Sequence, residues 1–177
     1  MRALGPGSVS SFLKVILDVF YYVLWAAAGA FTLAAFAVIL LSFKPDLLGH
    51  EISIDTWRLK GPHMVTIAAA TLAALGAYVG GTIVIVGRLR RIFRTLIIGD
   101  PFHPDNVRRL RVIAATLAVL EIGRNVAAGL SHMFLPPTAH LGGGVNLTTW
   151  FAVLVILVLA EVFREGARLR REAELTI

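Results

Sequence analysis

Ionisable and amide side chains in the middle of an apolar stretch are the clearest candidates for chemistry in this chain. Glu121, Arg124 and Asn125 share one side of a helix, because residues three and four positions apart lie on the same face. His132 falls on that side as well. Charged residues inside a membrane helix are costly and usually face a partner or a water-filled cavity. Depth counted along the apolar stretches places Tyr78 level with Glu121, so these five positions form a predicted intramembrane polar cluster.

Three roles fit such a cluster. A Glu–Arg pair can be an inert device that fixes which helices adjoin, or it can form a site for a proton, an ion or a small ligand. The third role is a contact between two copies of the chain. The sequence leaves these three alternatives open.

The chain has no recognisable enzyme motif. It contains no HExxH, GxSxG, Walker-type loop or CxxC sequence, each of which would supply a metal site, a nucleophile or a phosphate cradle. His50, His63, His132 and His140 are expected at one side of the membrane, but their spacings match no compact metal-binding motif. We therefore predict a non-enzymatic protein with no catalytic residue, no bound metal and no cofactor.

The composition indicates a membrane protein. Of the 177 residues, 57% are hydrophobic and 16% are charged, whereas roughly a quarter of the residues in a soluble domain are charged. A helix needs about 20 apolar residues to cross the hydrocarbon core, and four stretches approach or exceed that length. The sequence thus predicts a single all-α membrane domain over residues 1–177, an integral four-helix bundle. The predicted spans are about 17–43, 64–87, 110–135 and 145–163, with a connecting segment at 88–109 and a tail at 164–177.

The distribution of Lys and Arg predicts the orientation, because basic residues are enriched in cytoplasmic connections. Thirteen lie in the N-terminal arm, in the segment 88–111 and in the tail, against three in the other two connections. Both termini and the middle connection are therefore expected to be cytoplasmic, and the net charge of +6 indicates topology. In the first outer connection, residues 51–60 alternate apolar and polar side chains, which predicts a small β-hairpin.

The middle connection begins with a basic amphipathic pattern. Arg88, Arg90, Arg91 and Arg94 occupy one side of a helix whose opposite side is apolar. This pattern predicts a cytoplasmic helix lying in the membrane interface, where its arginines meet anionic lipid headgroups. The alternative is a helical end of span two that obeys the charge rule.

Glycine and proline mark helix ends and close packing. The Gly-Asp-Pro sequence at 99–101 is expected to break the basic helix. Pro104 and Asp105 are expected to restart the chain as helix three, since Pro suits a first turn and an acidic residue complements the positive helix end. Gly76 and Gly80 form a GxxxG element, which lets helix backbones approach closely. Packing inside the bundle is one use of this element, and homodimerisation is the other.

The tail is predicted to continue span four as a helical extension. Its charges are spaced so that opposite signs fall three or four positions apart, which supports a solvated helix. Its apolar end, at Leu175 and Ile177, is then either folded back or offered to another protein. The predicted pairs are Glu161 with Arg164, Arg168 with Glu172, and Arg170 with Glu174.

Two segments resemble the hallmark blocks of a bacterial family of four-span membrane proteins catalogued as domain of unknown function 2975. The blocks are residues 99–111 and 160–177, and the likeness in span order covers essentially the whole chain. The matching positions are Pro101, Phe102, Asn106, Arg109 and Leu110 in the first block, and Glu161, Val162, Phe163, Gly166, Leu169, Glu174, Leu175, Thr176 and Ile177 in the second.

The resemblance implies a multi-pass protein of the bacterial cytoplasmic (inner) membrane with no assigned reaction. Genes of such proteins often lie beside small helix-turn-helix regulators, which implies a membrane partner for a transcription factor. Because both blocks lie on the predicted cytoplasmic side, the leading hypothesis is a surface there that binds and restrains such a regulator, without direct contact to nucleic acid. The surface is predicted at Phe102, Asn106, Arg109, Phe163, Gly166, Leu169, Glu174, Leu175 and Ile177.

Two other functions stand as alternatives. One is a pathway or sensor for protons, ions or small solutes that uses Glu121 and Arg124. The other is immunity or protection against a membrane-active peptide, which would be intercepted by the outer connections at 44–63 and 136–146.

Overall fold

The computed structural model describes residues 9–42, 63–134 and 140–175. They form four α-helices: α1 (Val9–Ser42), α2 (His63–Ile98), α3 (Pro104–Phe134) and α4 (Leu147–Glu174). Each helix is long and apolar enough to cross a membrane, so the prediction of an all-α chain with four candidate membrane spans is confirmed. The β-hairpin predicted for residues 51–60 lies outside the described residues.

The helices form a packed bundle in which neighbours in sequence are neighbours in space. Helix α1 packs on α2, α2 on α3, and α3 on α4. A buried apolar cluster joins the last three of them, and most large apolar side chains elsewhere are exposed, as a lipid-facing surface requires. The centre of this cluster consists of Ile92, Leu110, Ile113 and Ala160.

Helix α2 ends in a glycine cap close to the predicted break. Gly99 adopts a φ of 87°, a left-handed conformation that favours glycine. Its N–H donates to the carbonyl of Leu96, and the N–H of Asp100 donates to the carbonyl of Thr95, which together make a Schellman motif. We call the end of the bundle that carries this α2–α3 turn the turn end.

The structure corrects the prediction of a separate interfacial helix. Residues 88–98 continue α2 without a break, as in the alternative of a helical end of span two. Arg90 donates to the carboxylate of Asp18 on α1 at 2.5 Å, and its guanidinium lies 4.4 Å from the ring centroid of Tyr21. Because a helix that continues straight and one that turns aside have the same amphipathic period, these contacts with α1 could not be read from the spacing of the arginines. Arg88 is half-buried, and Arg91 and Arg94 are exposed.

Helix α3 begins at Pro104, as predicted, with Asp105 in its first turn. The residue before it supplies the cap: His103 accepts a hydrogen bond at Nδ1 from the backbone N–H of Asp105, at 3.2 Å. This bond satisfies one of the backbone donors that a helix start leaves without an internal partner.

Helix α4 runs to Glu174, and the predicted helical extension of span four is confirmed. The three predicted ion pairs are also formed, since residues three or four apart meet on a helix surface. Their closest N–O distances are 2.7 Å for Glu161 with Arg164, 3.4 Å for Arg168 with Glu172 and 3.0 Å for Arg170 with Glu174.

The GxxxG element faces α1 across an open groove. Gly76 and Gly80 line a cavity of about 440 Å³ between α1 and α2, together with small residues such as Ala28 and Ala73. A Cβ atom added to either glycine would meet nothing within 4 Å. The two glycines therefore lie on the α1–α2 face within one chain, and homodimerisation through them stays a prediction.

Candidate functional site

The centre of the predicted intramembrane cluster is a buried carboxylate. Glu121 is 5% exposed and accepts two hydrogen bonds from Arg124, from Nη2 at 2.7 Å and from Nε at 3.2 Å. The Nδ2 of Asn125 donates to the same carboxylate at 3.1 Å. The structure thus brings these three residues together on one face of α3.

The same face binds the backbone of an extended segment, residues 140–146, which we call the strap. The strap runs back along α3 from His140 to the start of α4. Its backbone N–H groups donate to α3 side chains in turn, and Arg124 donates to one of its carbonyls. The bonds are Leu141 N to Ser131 Oγ at 2.9 Å, Gly144 N to Asn125 Oδ1 at 3.2 Å, Asn146 N to Glu121 Oε1 at 3.1 Å, and Arg124 Nη2 to Gly144 O at 2.5 Å.

Small residues let the strap approach α3 closely. A Cβ atom on Gly143 would lie 3.0 Å from the Cβ of Ala128, and Gly144 has a φ of 150°. At the far end of the strap, the rings of His140 and His132 lie 4.1 Å apart between centroids. The strap therefore follows α3 for about three turns.

The Asn146 end of the strap lies near the middle of the candidate membrane span formed by α3. Ten residues of α3 separate Glu121 from Arg111, which pairs with Glu161 of α4 at 2.9 Å; this is about 15 Å of helix, or half the thickness of a hydrocarbon core of about 30 Å. Non-helical backbone is tolerated at such depth only where protein satisfies its polar groups. The polar face of α3 provides partners for three N–H groups and one carbonyl of the strap, so the observed contacts of this face bind backbone.

The cluster also meets the start of α4. Asn146 caps this helix by accepting hydrogen bonds at Oδ1 from the N–H groups of Thr148 and Thr149. The carboxylate of Glu121, bonded to the N–H of Asn146, therefore lies at the positive end of the α4 dipole.

The structure places two of the predicted cluster residues elsewhere. Tyr78 is 61% exposed on α2, and in the described part of the chain the hydrogen bonds to the Glu121 carboxylate come from Arg124, Asn125 and Asn146. His132 is exposed and contacts His140. Depth counting failed for Tyr78 because it gives the level of a residue along a helix but not the direction in which the residue points.

Sequence reasoning missed Ser131, Gly144 and Asn146. The signal available was the Gly-Gly-Gly-Val-Asn sequence at 142–146, in which an Asn precedes an apolar helix and marks its cap. Within residues 9–42, 63–134 and 140–175 there is no group of three His, Cys, Asp or Glu residues that could hold a metal. His50 and the side chain of His63 lie outside what is described.

The turn end is built around Asn106, which is fully buried. Its Nδ2 donates to Thr95 Oγ1 at 2.7 Å and to the carbonyl of Pro101 at 3.0 Å, and its Oδ1 accepts from Arg109 at 2.8 Å. Arg109 also donates to the carbonyl of Arg91 on α2, at 3.2 Å. This corrects the assignment of Asn106 to an interaction surface, because a side chain without exposed area fixes the turn and does not touch a partner.

Replacing Asn106 with alanine is expected to lower the free energy of unfolding by about 1–2 kcal/mol, because the carbonyl of Pro101 and the hydroxyl of Thr95 lose the donor that the buried Asn106 amide supplies to both. The measurement is thermal unfolding of the detergent-solubilised protein. Arg108→Ala, which removes an exposed side chain from the same helical turn, is the control and is expected to unfold as the parent does. Equal stability of the two variants would contradict a structural role for Asn106.

The two blocks of the family resemblance pack against each other at the turn end. The ring of Phe102 lies 5.7 Å from that of Phe163 between centroids, and it covers the backbone of Gly166, where an added Cβ would lie 2.5 Å from ring carbons. Asp100 and Arg170 form an ion pair at 2.5 Å. Four residues predicted for an interaction surface, Phe102, Phe163, Gly166 and Arg109, thus contact their own chain.

The rest of the predicted surface is exposed at the end of α4. Leu169 is 54% exposed and Leu175 is 82% exposed; Glu174 is exposed and paired with Arg170. Ile177 lies outside the described residues. This end of α4 continues for about eleven residues past Phe163, roughly 16 Å.

Comparison with known proteins identifies the family and no individual relative. No curated protein matches the chain, and no solved structure matches it. The family model described as "Protein of unknown function (DUF2975)" matches residues 20–177, which is most of the chain. With four helices able to span a membrane and the two resembling blocks joined at the turn end, the chain belongs to this family of unknown function.

Proposed function

We propose that this protein is a non-enzymatic, multi-pass protein of the bacterial inner membrane that binds and restrains a small helix-turn-helix regulator. Both termini and the turn end are cytoplasmic in this proposal, in agreement with the excess of Lys and Arg at that end. The regulator is bound by the last turns of α4, which the turn end holds in place.

One observation carries the proposal: the turn end anchors α4 rigidly and leaves its last turns uncovered. Packing of Phe102 on Gly166 and the pair of Asp100 with Arg170 fix the base of this segment. Leu169, which lies between these two contacts, and Leu175, which lies beyond them, remain exposed although water, not lipid, surrounds the helix there in this proposal. In this proposal these two leucines are the apolar contacts of the regulator.

The alternative of an ion or solute pathway has less support. The oxygens of Glu121 already accept hydrogen bonds from Arg124, Asn125 and Asn146, and these bonds hold the strap. Interception of a membrane-active peptide would involve residues 44–63 and 136–146, of which 44–62 and 136–139 lie outside the described residues.

The test is co-expression of the tagged protein with the helix-turn-helix regulator encoded beside its gene, followed by detergent extraction and pull-down. Leu169→Glu combined with Leu175→Glu is expected to reduce regulator capture by about tenfold or more, since charges replace the exposed contact residues. Deletion of residues 164–177 is expected to abolish capture.

Phe151→Ala is the matched control, because Phe151 is 67% exposed at the opposite end of α4. Gel filtration in detergent checks that each variant remains folded. Undiminished capture by the folded double variant, or failure of the parent protein to capture the regulator, would refute the proposal.

A further inference from the structure

A groove separates the first turn of α3 from the last turns of α4 at the turn end. It has a volume of about 390 Å³. It exists because α4 extends past α3 at this end of the bundle: α3 begins at Pro104, whereas α4 continues to Glu174. We call it the α3–α4 groove; the lining side chains that matter are Val107, Arg164, Ala167, Arg168, Arg171 and Leu175.

The groove has an apolar floor and a basic rim. Val107, Ala167 and Leu175 supply the floor. On α4, Ala167 and Leu175 lie eight residues apart, about two turns along the helix, with Arg171 between them. A groove with apolar contacts at this spacing and a basic rim accepts an amphipathic helix laid along it.

The positive charge of the rim favours a partner that carries negative charge. Arg164, Arg168 and Arg171 line the groove against a single acidic residue, Glu172. Arg164 and Arg168 have carboxylate neighbours on their own helix, at exposed positions. Among the described residues, no ion pair is formed by Arg171.

Position along α4 argues for a protein partner over a lipid headgroup. Arg164 lies one turn from Ala160, the last residue of the uncharged run, and so is near the level of lipid headgroups. Arg171 and Leu175 lie about 10 Å and 16 Å further along the helix. A headgroup that reached Arg164 would leave the far half of the groove uncovered, whereas a helix two to three turns long would cover all of it.

We propose that the α3–α4 groove binds an acidic amphipathic helix of a partner protein. Leucine-like side chains at spacings of three and four would contact Ala167 and Leu175, and Glu or Asp beside them would pair with Arg171 and Arg164. This inference rests on the proposed function and specifies which chemical feature of the regulator is recognised.

The test uses the full-length protein in nanodiscs of zwitterionic phosphatidylcholine and fluorescent helical peptides of about 18 residues. One peptide carries a leucine stripe flanked by Glu, the second has Lys in place of Glu, and the third keeps the first composition with the leucines scrambled. The acidic striped peptide is expected to bind at least about tenfold more tightly than either of the others.

Arg171→Glu is expected to weaken binding of the acidic striped peptide about tenfold and to strengthen binding of its Lys counterpart. Arg94→Glu makes the same charge change at an exposed arginine of α2 outside the groove and is expected to change neither affinity by more than about twofold. Equal effects of the two substitutions would overturn the groove as the binding site. Displacement of the peptide by soluble dihexanoyl-phosphatidylglycerol, below its micelle concentration, would assign the groove to lipid and also overturn the proposal.

Regulator capture by the same variants separates the two proposals. If the regulator is captured equally by the parent and by Arg171→Glu, the groove proposal fails and the proposed function stands. If no regulator is captured while the acidic striped peptide still binds with dependence on Arg171, the proposed function fails and the groove retains its specificity for acidic helices.

Discussion

Glu121→Ala is expected to release the strap from α3 and to be among the most destabilising single substitutions in the chain. The substitution removes the acceptor of the Asn146 N–H and leaves Arg124 at membrane depth without its carboxylate. The side chain of Arg124 is 41% exposed, and lipid cannot replace the bonds that it loses. We therefore expect the decrease in melting temperature in mild detergent to be several times the decrease caused by removing an exposed ion pair.

Glu161→Ala is the matched control for this effect. It also removes a carboxylate from an arginine, but both partners are about half exposed, at 48% for Glu161 and 51% for Arg111, so the loss should be small. Glu121→Gln keeps an oxygen acceptor for Asn146 but loses the charge facing Arg124, and its stability should fall between the parent and Glu121→Ala. Equal melting temperatures for Glu121→Ala and Glu161→Ala would contradict the role assigned to the cluster.

Release of the strap can be measured separately from stability. The chain contains no cysteine, so Val145→Cys introduces a single reactive site in the strap. In nanodiscs this thiol should react slowly with a membrane-impermeant maleimide, and much faster when Glu121→Ala is added. A label on Leu175→Cys, at the opposite end of the bundle, should react at the same rate in both backgrounds.

Gly166→Leu is the second substitution with a large expected effect, a loss of about 3 kcal/mol in the free energy of unfolding. A Cβ atom at this position would lie 2.5 Å from Cδ1 and Cε1 of Phe102, so the ring must leave its place against Phe163. Overpacking of a fitted contact typically costs about 1–3 kcal/mol, and here the lost contact of the two rings adds to it. Regulator capture should fall as well, since α4 loses its anchor.

Gly76→Leu controls for the change of helix propensity. Gly76 lies in the interior of α2 and nothing stands within 4 Å of an added Cβ, so this variant should be as stable as the parent or more stable. Phe102→Ala should partly rescue Gly166→Leu, because the space occupied by the ring becomes free, and a double-mutant cycle measures that coupling. Additive effects of the two substitutions would show that the ring and the glycine do not oppose each other.

Local signals in the sequence predicted those features that depend on local physics. Uncharged runs located the four helices, Pro104 and Asp105 marked the start of α3, and charge spacing gave the three ion pairs of α4. Each of these depends on residues within one or two turns of each other. The Glu121–Arg124 pair was found for the same reason.

Features that depend on contacts between distant segments were not predicted. The partners of the Glu121 cluster lie about 20 to 25 positions away, at Gly144 and Asn146. Their backbone groups form these hydrogen bonds, and backbone groups leave no periodic pattern of side chains in the sequence. The same limit explains Asn106: it was assigned to the surface because its block lies on the predicted cytoplasmic side, while its burial comes from the turn that folds around its amide group. The contact of Arg90 with α1 could likewise not be predicted, because it forms only where the two helices pack together.

The strap before α4 has a consequence for how the chain enters the membrane. The helix of the fourth crossing begins at Leu147, and the strap that leads into it is bonded to side chains of α3 in every backbone bond described above. We therefore expect the last two helices to insert as one hairpin, because these bonds form only when α3 and the strap are both present. A chain that ended between them would keep the Glu121–Arg124 pair but would lack the strap groups that bond to it.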